Sequence, residues 1–201
     1  MQRITEKKER ALGTKLFLKA VRCNSPKCVM IRRPSKPGIH GGKKRGRRTL
    51  SEFGRQLQEK QRVQISYGLN NRQMRKLFRG KKETGKILQL LEKRLDNVVF
   101  RLGLADSRVI ARQFISHGHF MVNAKKVTIS SYRVEIGKKV SLDATSRKFK
   151  IFDNLELKLK KFEPPKWLKL DKEKLTGEIV DKPENLNFPF DLNLVAEYYS
   201  R

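Results

Sequence analysis

Acidic residues are scarce in this chain. Asp and Glu number 20 against 48 Lys and Arg, which leaves a formal net charge of +28 over 201 residues. That excess is far beyond what solubility requires. It points to a polyanionic partner, nucleic acid first and an acidic membrane surface second. Cysteine is almost absent: Cys23 and Cys28 stand alone, so no disulfide framework is expected. No apolar stretch follows the opening Met1-Gln2-Arg3-Ile4-Thr5-Glu6, so no secretory signal is expected and a reducing compartment is. No apolar run approaches the ~20 residues that cross a bilayer. There is no Walker loop either, because "GKKRGRR" lacks the spacing and the Lys-Ser/Thr ending. Internal repeats and heptads are missing. What remains, 37% hydrophobic residues, suffices for one or two small cored domains.

The positive charge is unevenly spread. Residues 1–50 carry +14, residues 51–100 carry +7 and residues 101–150 carry +8, whereas residues 151–201 carry −1. The polyanion is therefore expected on the first three quarters, and the last quarter is expected to face protein or solvent. Within the first quarter, "IRRPSKPGIHGGKKRGRR" joins dense charge to Pro and Gly, which opposes compact folding in isolation. It reads as a basic arm over residues 1–48, either a flexible tail or a segment that orders along a nucleic-acid backbone.

Helical patterning begins after it. Thr49 or Ser51 caps a helix running through "SEFGRQLQEKQRVQISYG", with Glu52 in its first turn and Gly68 at its end. "NNRQMRKLF" is a second, capped by Asn70 or Asn71. In "TGKILQLLEKRLDNVVFRLGL", Ile87, Leu88, Leu91, Leu95, Val98, Val99 and Leu102 recur at three- and four-residue steps, predicting one long core helix. Asp106 or Ser107 opens another, closed by Gly118. The period then shifts to two, with strands expected at Phe120–Val122, in "KKVTIS" and in "KKVSL". Residues 147–162 return to helix, "PPKWLKLDKEKLTGEIV" makes a hairpin, and "DLNLVAEYYSR" a terminal helix. That tail also holds Trp167, Phe188, Phe190, Tyr198 and Tyr199, enough aromatic surface to dock.

Three groups of residues invite a chemical reading. Cys23 and Cys28 in "CNSPKC" are half of a zinc site, yet four ligands are needed and the nearest histidine is His40. Ordinary thiols in a turn made by Pro26 are the better expectation. The only histidines, His40, His117 and His119, have no nucleophile–carboxylate partners nearby in sequence, so catalysis is not expected of them. Arg108 and Arg112 lie four apart on one helical face, and no carboxylate follows Asp106 along that helix to balance them. With His117, His119, Lys125 and Lys126 they form a cationic corner on an apolar base, held by Phe120 and Val122. Such a corner suits phosphate recognition.

"RLDNVVFRLGLADSRVIARQFISHGHFMVNAKKVTISSYRVEIGKKV" resembles the RNA-binding module named for the fourth protein of the small ribosomal subunit. "KLFLKAVRCNSPKC", "RRPSKPGIHG", "LSEFGRQLQEKQRVQISYGLNNRQMRKLF", "PKWLKLD" and "VAEYYSR" extend the resemblance, in order, to the bacterial-type family of that ribosomal protein. The resemblance implies an α+β protein. It has a basic N-terminal extension (1–48), a helical domain (49–93, completed by 155–201) and an inserted RNA-binding module (94–154), a helix pair on a short, mostly antiparallel sheet. It implies a structural, non-enzymatic constituent of the small subunit in the cytoplasm, or in an organelle. Such a protein binds small-subunit ribosomal RNA early, nucleates assembly of the subunit body, touches the fifth small-subunit protein and others, and serves translational accuracy and the messenger entry path.

The candidate rRNA-binding residues are then Arg94, Ser107, Arg108, Arg112, Gln113, His117, His119, Asn123, Lys125 and Lys126 in the module. Arg55, Lys60, Arg62 and Arg72 follow in the helical domain. In the extension they are Arg32, Arg33, Lys36, His40, Lys43, Lys44, Arg45, Arg47 and Arg48. No cofactor, membrane or small-molecule substrate is implied. Two departures from the family stand out. The earlier cysteine pair that completes zinc in some members is missing from "MQRITEKKERALG", so no metal is assigned. The hairpin turn that usually reads Asn-Gly is Asn123-Ala124, which either changes turn type or accepts strain on the order of 1 kcal/mol. An RNA-modifying enzyme with the same module would need a further catalytic domain, for which too few residues remain. A DNA-compacting protein would bind any duplex alike.

Overall fold

The computed structural model describes residues 6–39, 41, 50–80, 83–160, 162–183 and 188–200. In chain order the helices are α1 (Lys7–Leu12), α2 (Ala20–Cys23), α3 (Val29–Arg32), α4 (Glu52–Ser66), α5 (Asn71–Phe78), α6 (Thr84–Glu92), α7 (Leu95–Arg101) and α8 (Arg108–Ser116). Strands β1 (Phe120–Val122), β2 (Lys125–Lys126) and β3 (Lys139–Leu142) follow, then a 3-10 turn at Ser146–Lys148. α9 (Leu155–Lys160), β4 (Leu168–Asp171), β5 (Thr176–Ile179) and α10 (Leu192–Ser200) complete the chain. They fall into two units, Met1–Ile87 with Asn187–Arg201, and Leu88–Leu186.

The first unit is helical. Ser51 caps α4 by accepting the Gly54 N–H at 3.2 Å, and Asn70 and Gln73 form a reciprocal capping box on α5. α10 packs on α4 and α5. Val195 is fully buried, as are Val63 and Met74, and Phe78 stacks on Tyr199 at 5.3 Å. Two polar ties join the same partners: Gln56 Nε2 donates to Glu197 at 3.2 Å, and the Asp191 N–H donates to Glu59 at 3.0 Å.

The arm is a correction. Composition predicts a poorly cored segment, yet residues 6–39 include three short helices, and Leu12, Leu16 and Leu18 are buried against Ile65 of α4. The reason is Glu9, 2% exposed, whose carboxylate accepts the N–H groups of Leu16 (2.9 Å) and Leu18 (3.2 Å) and lies 3.8 Å from Cys23 Sγ. A buried carboxylate that gathers backbone donors folds a loop that composition alone leaves open. Cys23 and Cys28 are both buried free thiols. His40 and residues 42–49 lie outside the described residues, and with them the Lys43, Lys44, Arg45, Arg47 and Arg48 candidates.

In the second unit five antiparallel strands run in the order β2-β1-β3-β5-β4. Phe120, Val122, Val140, Leu142 and Ile179 are buried from the sheet and share one core with Leu95, Val98, Val99, Leu102, Ala111 and Ile115 of the α7–α8 region. β5 passes this layer so closely that a Cβ on Gly177 would stand 2.3 Å from Leu102 Cδ1. Only glycine fits there.

Three expectations change here. The predicted long helix breaks into α6 and α7, because Arg94 takes an extended conformation (φ −70°, ψ 139°) and bridges Arg133. The Leu95 and Asp96 N–H groups donate to the Tyr132 and Ser130 carbonyls, so the break is satisfied by tertiary hydrogen bonds. Residues 147–162 form only the short α9, after the 3-10 turn. The β4–β5 hairpin does not go with the helical domain: Lys139, Val140 and Ser141 of β3 pair with Glu178, Gly177 and Thr176 of β5. The hairpin thereby extends the sheet, and the second compact unit runs on to Leu186.

Candidate nucleic-acid interface

The corner seen in sequence is built by α8 and the β1–β2 hairpin. Ser107, 1% exposed, caps α8 by accepting the Ile110 N–H at 3.3 Å. After His117 the chain turns through Gly118 at φ +76°, where a Cβ would lie 2.4 Å from Lys126 Cε. The bare glycine thus serves both the left-handed turn and the close passage of Lys126. Asn123 (φ +46°) and Ala124 (φ +62°) are both left-handed between paired Val122 and Lys125. The hairpin keeps the type I′ turn, and Ala124 accepts the strain. Asn123 Oδ1 accepts the Lys139 N–H at 2.9 Å, which locks the turn to β3.

The arginines of the corner are not solvated, and the absence of a balancing carboxylate is overturned. Asp96, 2% exposed, accepts from Arg94 (Nε 3.1 Å, Nη2 2.8 Å) and from Arg112 (Nε 3.0 Å, Nη2 2.6 Å). Glu92, fully buried, accepts from Arg101 Nε at 3.0 Å and from Asn97 Nδ2 at 2.8 Å, with Arg108 at 4.0 Å. Arg108 Nε donates to Asn97 Oδ1 at 2.7 Å, and its guanidinium lies 4.7 Å from the Phe100 ring centre. Four guanidiniums therefore share two buried carboxylates, a cluster of net charge +2 with fixed orientations. Preorganised arginines of this kind recognise phosphate without first losing rotamer freedom. Glu92, Asp96, Asn97 and Arg101 escape a local reading of sequence. Their signal is charged and amide residues interrupting an apolar stripe at i and i+4.

His119 packs rather than reacts. His119 is ringed edge-on by Phe114, Phe149 and Phe152 at 5.9, 5.6 and 5.5 Å, and stacks parallel to His117 at 6.0 Å. Its Nδ1 lies 2.9 Å from Ser146 Oγ, which donates in turn to Asp143 at 3.4 Å. Here the carboxylate orients the serine and not the imidazole, and Ser146 is 3% exposed, closed to substrate. Burial, then the neighbouring His117 and Lys126, lowers the His119 pKa from 6.5.

The other candidates divide by environment. Gln113, His117, Lys125 and Lys126 are exposed around the corner. In the first unit Arg32, Arg33, Lys36, Arg55 and Arg72 are exposed. Lys60 is half-buried, 5.1 Å from the centre of the Tyr198 ring, and Arg62 pairs with Glu59 and donates to the Leu12 carbonyl. No three His, Cys, Asp or Glu among the described residues are grouped to hold a metal.

Comparison with known proteins matches these two parts separately. The S4 domain model covers residues 93–140, and the model of the ribosomal protein S4/S9 N-terminal domain covers residues 2–96. The class is that of small-subunit ribosomal proteins built on an S4 domain. The chain is 44% identical over 199 residues to small ribosomal subunit protein uS4 of Gloeobacter violaceus, covering 96% of this chain and 94% of that one. It is 44% identical to uS4 of Halothermothrix orenii and 46% identical to uS4 of Thermus thermophilus, in each case over 94% of this chain and 93% of the relative. The chain belongs to the uS4 family.

Proposed function

We propose that the protein is a structural constituent of the small ribosomal subunit that binds small-subunit rRNA and nucleates assembly of the subunit body. It is not an enzyme. The observation that carries this reading is the tandem match of both family models, with uS4 relatives similar along nearly the whole chain. The charge supports it: +29 of formal charge lies in residues 1–150 and −1 in the remainder. The described residues contain no helix long and apolar enough to cross a membrane. The α7–α8 arginine cluster, His117 and the β1–β2 lysines are the module's rRNA-facing groups in this reading, with the exposed cations of the first unit as a further set. Contact with the fifth small-subunit protein and a part in translational accuracy belong to the same proposal, with the near-neutral last quarter as the protein-facing part.

A gel-shift competition between a folded small-subunit rRNA fragment and DNA of equal length, at physiological salt, tests the reading. Preference for the RNA supports it, and equal competition by DNA overturns it. Co-purification with the fifth small-subunit protein in the absence of RNA tests the protein contact.

A further inference from the structure

We propose that Cys23 and Cys28 form a dithiol site that a peroxide closes into a reversible intramolecular disulfide. The function proposed above makes no use of these residues. They are the only cysteines of the chain, and both are buried free thiols. Two thiols fall short of the four ligands that close a structural zinc site. Cys23 ends α2 and Cys28 immediately precedes α3, so they bracket the link between the two helices. Fully extended, that link would hold their Cα atoms roughly 17 Å apart, whereas a disulfide needs about 4.4–6.8 Å. Two successive turns shorten it: the Ser25 N–H donates to the Arg22 carbonyl at 3.2 Å, and the Cys28 N–H donates to the Ser25 carbonyl at 3.0 Å. Pro26 occupies the second position of the latter turn, where its fixed φ is favoured. Burial and then Glu9 raise the Cys23 pKa most, and Cys28 lies close enough to add to the rise.

The two thiols are unequal. Cys23 lines a cavity of about 590 Å³ whose walls also include Phe17, Asn24, Ser25 and Ile31. Phe17 and Ile31 are 43% and 61% exposed, so the cavity opens to solvent and admits a small oxidant. Cys28, 2% exposed, stands behind it. Cys23 is therefore the thiol that meets the peroxide. Its sulfur attacks one peroxide oxygen, the O–O bond breaks, and the departing hydroxide takes the Cys23 proton to leave as water. The sulfur is then a sulfenic acid. Cys28 attacks that sulfur, the S–S bond forms and the S–O bond breaks, and the second hydroxide leaves as water with the Cys28 proton. Two thiols are oxidised to one disulfide while one peroxide is reduced to two waters. A thiol used only for packing would sit among apolar groups. Cys23 Sγ instead lies 3.8 and 4.0 Å from the two oxygens of the Glu9 carboxylate. That buried charge opposes the thiolate and keeps the pair reduced until oxidant accumulates, the pattern of a transient intracellular disulfide. Closure draws Cys23 Sγ off Glu9, which retains the Leu16 and Leu18 N–H groups, so the arm keeps its fold.

The test treats the reduced full chain with hydrogen peroxide, blocks remaining thiols with iodoacetamide and digests with trypsin in the absence of reductant. Trypsin cuts after Arg22, Lys27 and Arg32, so Cys23–Lys27 and Cys28–Arg32 are separate peptides unless a disulfide joins them. The expected product is the joined pair, lighter by the mass of two hydrogen atoms, which dithiothreitol separates again. The chain should run as a monomer on a non-reducing gel, with its circular dichroism unchanged. Cys28→Ser should stop the reaction at a sulfenic acid on Cys23, trapped by dimedone, whereas in Cys23→Ser the inner Cys28 should stay an alkylatable thiol over the same time. Glu9→Gln should close the disulfide several-fold faster; the two serine variants do not depend on whether that substitution loosens the arm. Four results overturn the inference: both thiols remaining alkylatable in the folded chain, a disulfide found only between two chains, a disulfide found only in urea, or Cys23 passing on to the sulfinic acid without joining Cys28.

Discussion

Arg112→Ala is the most discriminating single substitution in the S4 module. Its guanidinium donates twice to Asp96, a carboxylate 2% exposed, and its own side chain is 30% exposed. A hydrogen bond to a charged partner contributes about 1.5–3 kcal/mol net. Arg94 remains on Asp96 in the variant, so the carboxylate is not stranded, and the partial exposure of Arg112 places the loss at about 1.5–2 kcal/mol. A solvated arginine would change stability by only about 0.5 kcal/mol or less. For a unit of about 100 residues this corresponds to a fall in Tm of roughly 6–16 °C. Trp167, the only tryptophan, is buried in the core of the same unit, so its fluorescence follows this unit's unfolding. A fall no larger than about 2–4 °C, which is what about 0.5 kcal/mol gives in a unit of this size, would refute a structural role for the Asp96 pair. Arg108→Ala with Arg112→Ala should therefore both weaken the fold and reduce the salt slope of RNA binding. Local sequence alone predicts the second effect without the first.

Further expectations follow from single residues. Ala124→Gly relieves the left-handed strain of the hairpin turn and should stabilise the module by up to about 1 kcal/mol in urea unfolding; destabilisation would contradict the turn assignment. Ser107→Ala removes the α8 cap and should cost about 1 kcal/mol in the same assay, with no loss expected if the buried hydroxyl is idle. Because the folded-state pKa of His119 is depressed, the unfolded chain binds the proton first. Stability from neutral His119 is then complete above 6.5 and is lost as pH falls from 6.5 to the lower folded value. His119→Gln should flatten that limb of the stability curve. Burial, then Glu9, raises the Cys23 pKa, so alkylation at about pH 8 should be slow and should quicken in Glu9→Gln; equal rates would remove Glu9 from the account.

Elements whose causes are local were readable before the fold. Ser51, Asn70 and Ser107 cap helices by hydrogen bonds to N–H groups three residues on, and period-two alternation located β1 and β3. What escaped depends on distant partners. The α6–α7 break at Arg94 carries no Gly or Pro; it exists because residues 130–134 return to supply the hydrogen bonds. The balance of Arg112 comes from Asp96, 16 positions away on another helix, and periodicity along α8 cannot see it. The order of the N-terminal arm hangs on one carboxylate, Glu9, inside a segment whose average composition argues against folding. Residue types at the cationic corner were legible; which of them are tethered and which stand free was not.

The composition of the first unit from two separated stretches of chain has a consequence for synthesis. α4 leaves the ribosome long before α10, the helix that closes over it; Gln56 and Glu197, which join them, are 141 positions apart. The S4 module lies wholly between, with its core drawn from residues 95–179. During translation that module can complete its fold while Val63 and Met74 still await Val195. Vectorial emergence therefore sets an order in which the inserted unit matures first and the discontinuous one last. A nascent chain stalled before residue 192 would carry a finished S4 module and an open, strongly basic remainder, competent for RNA in one half and exposed to chaperones or proteases in the other.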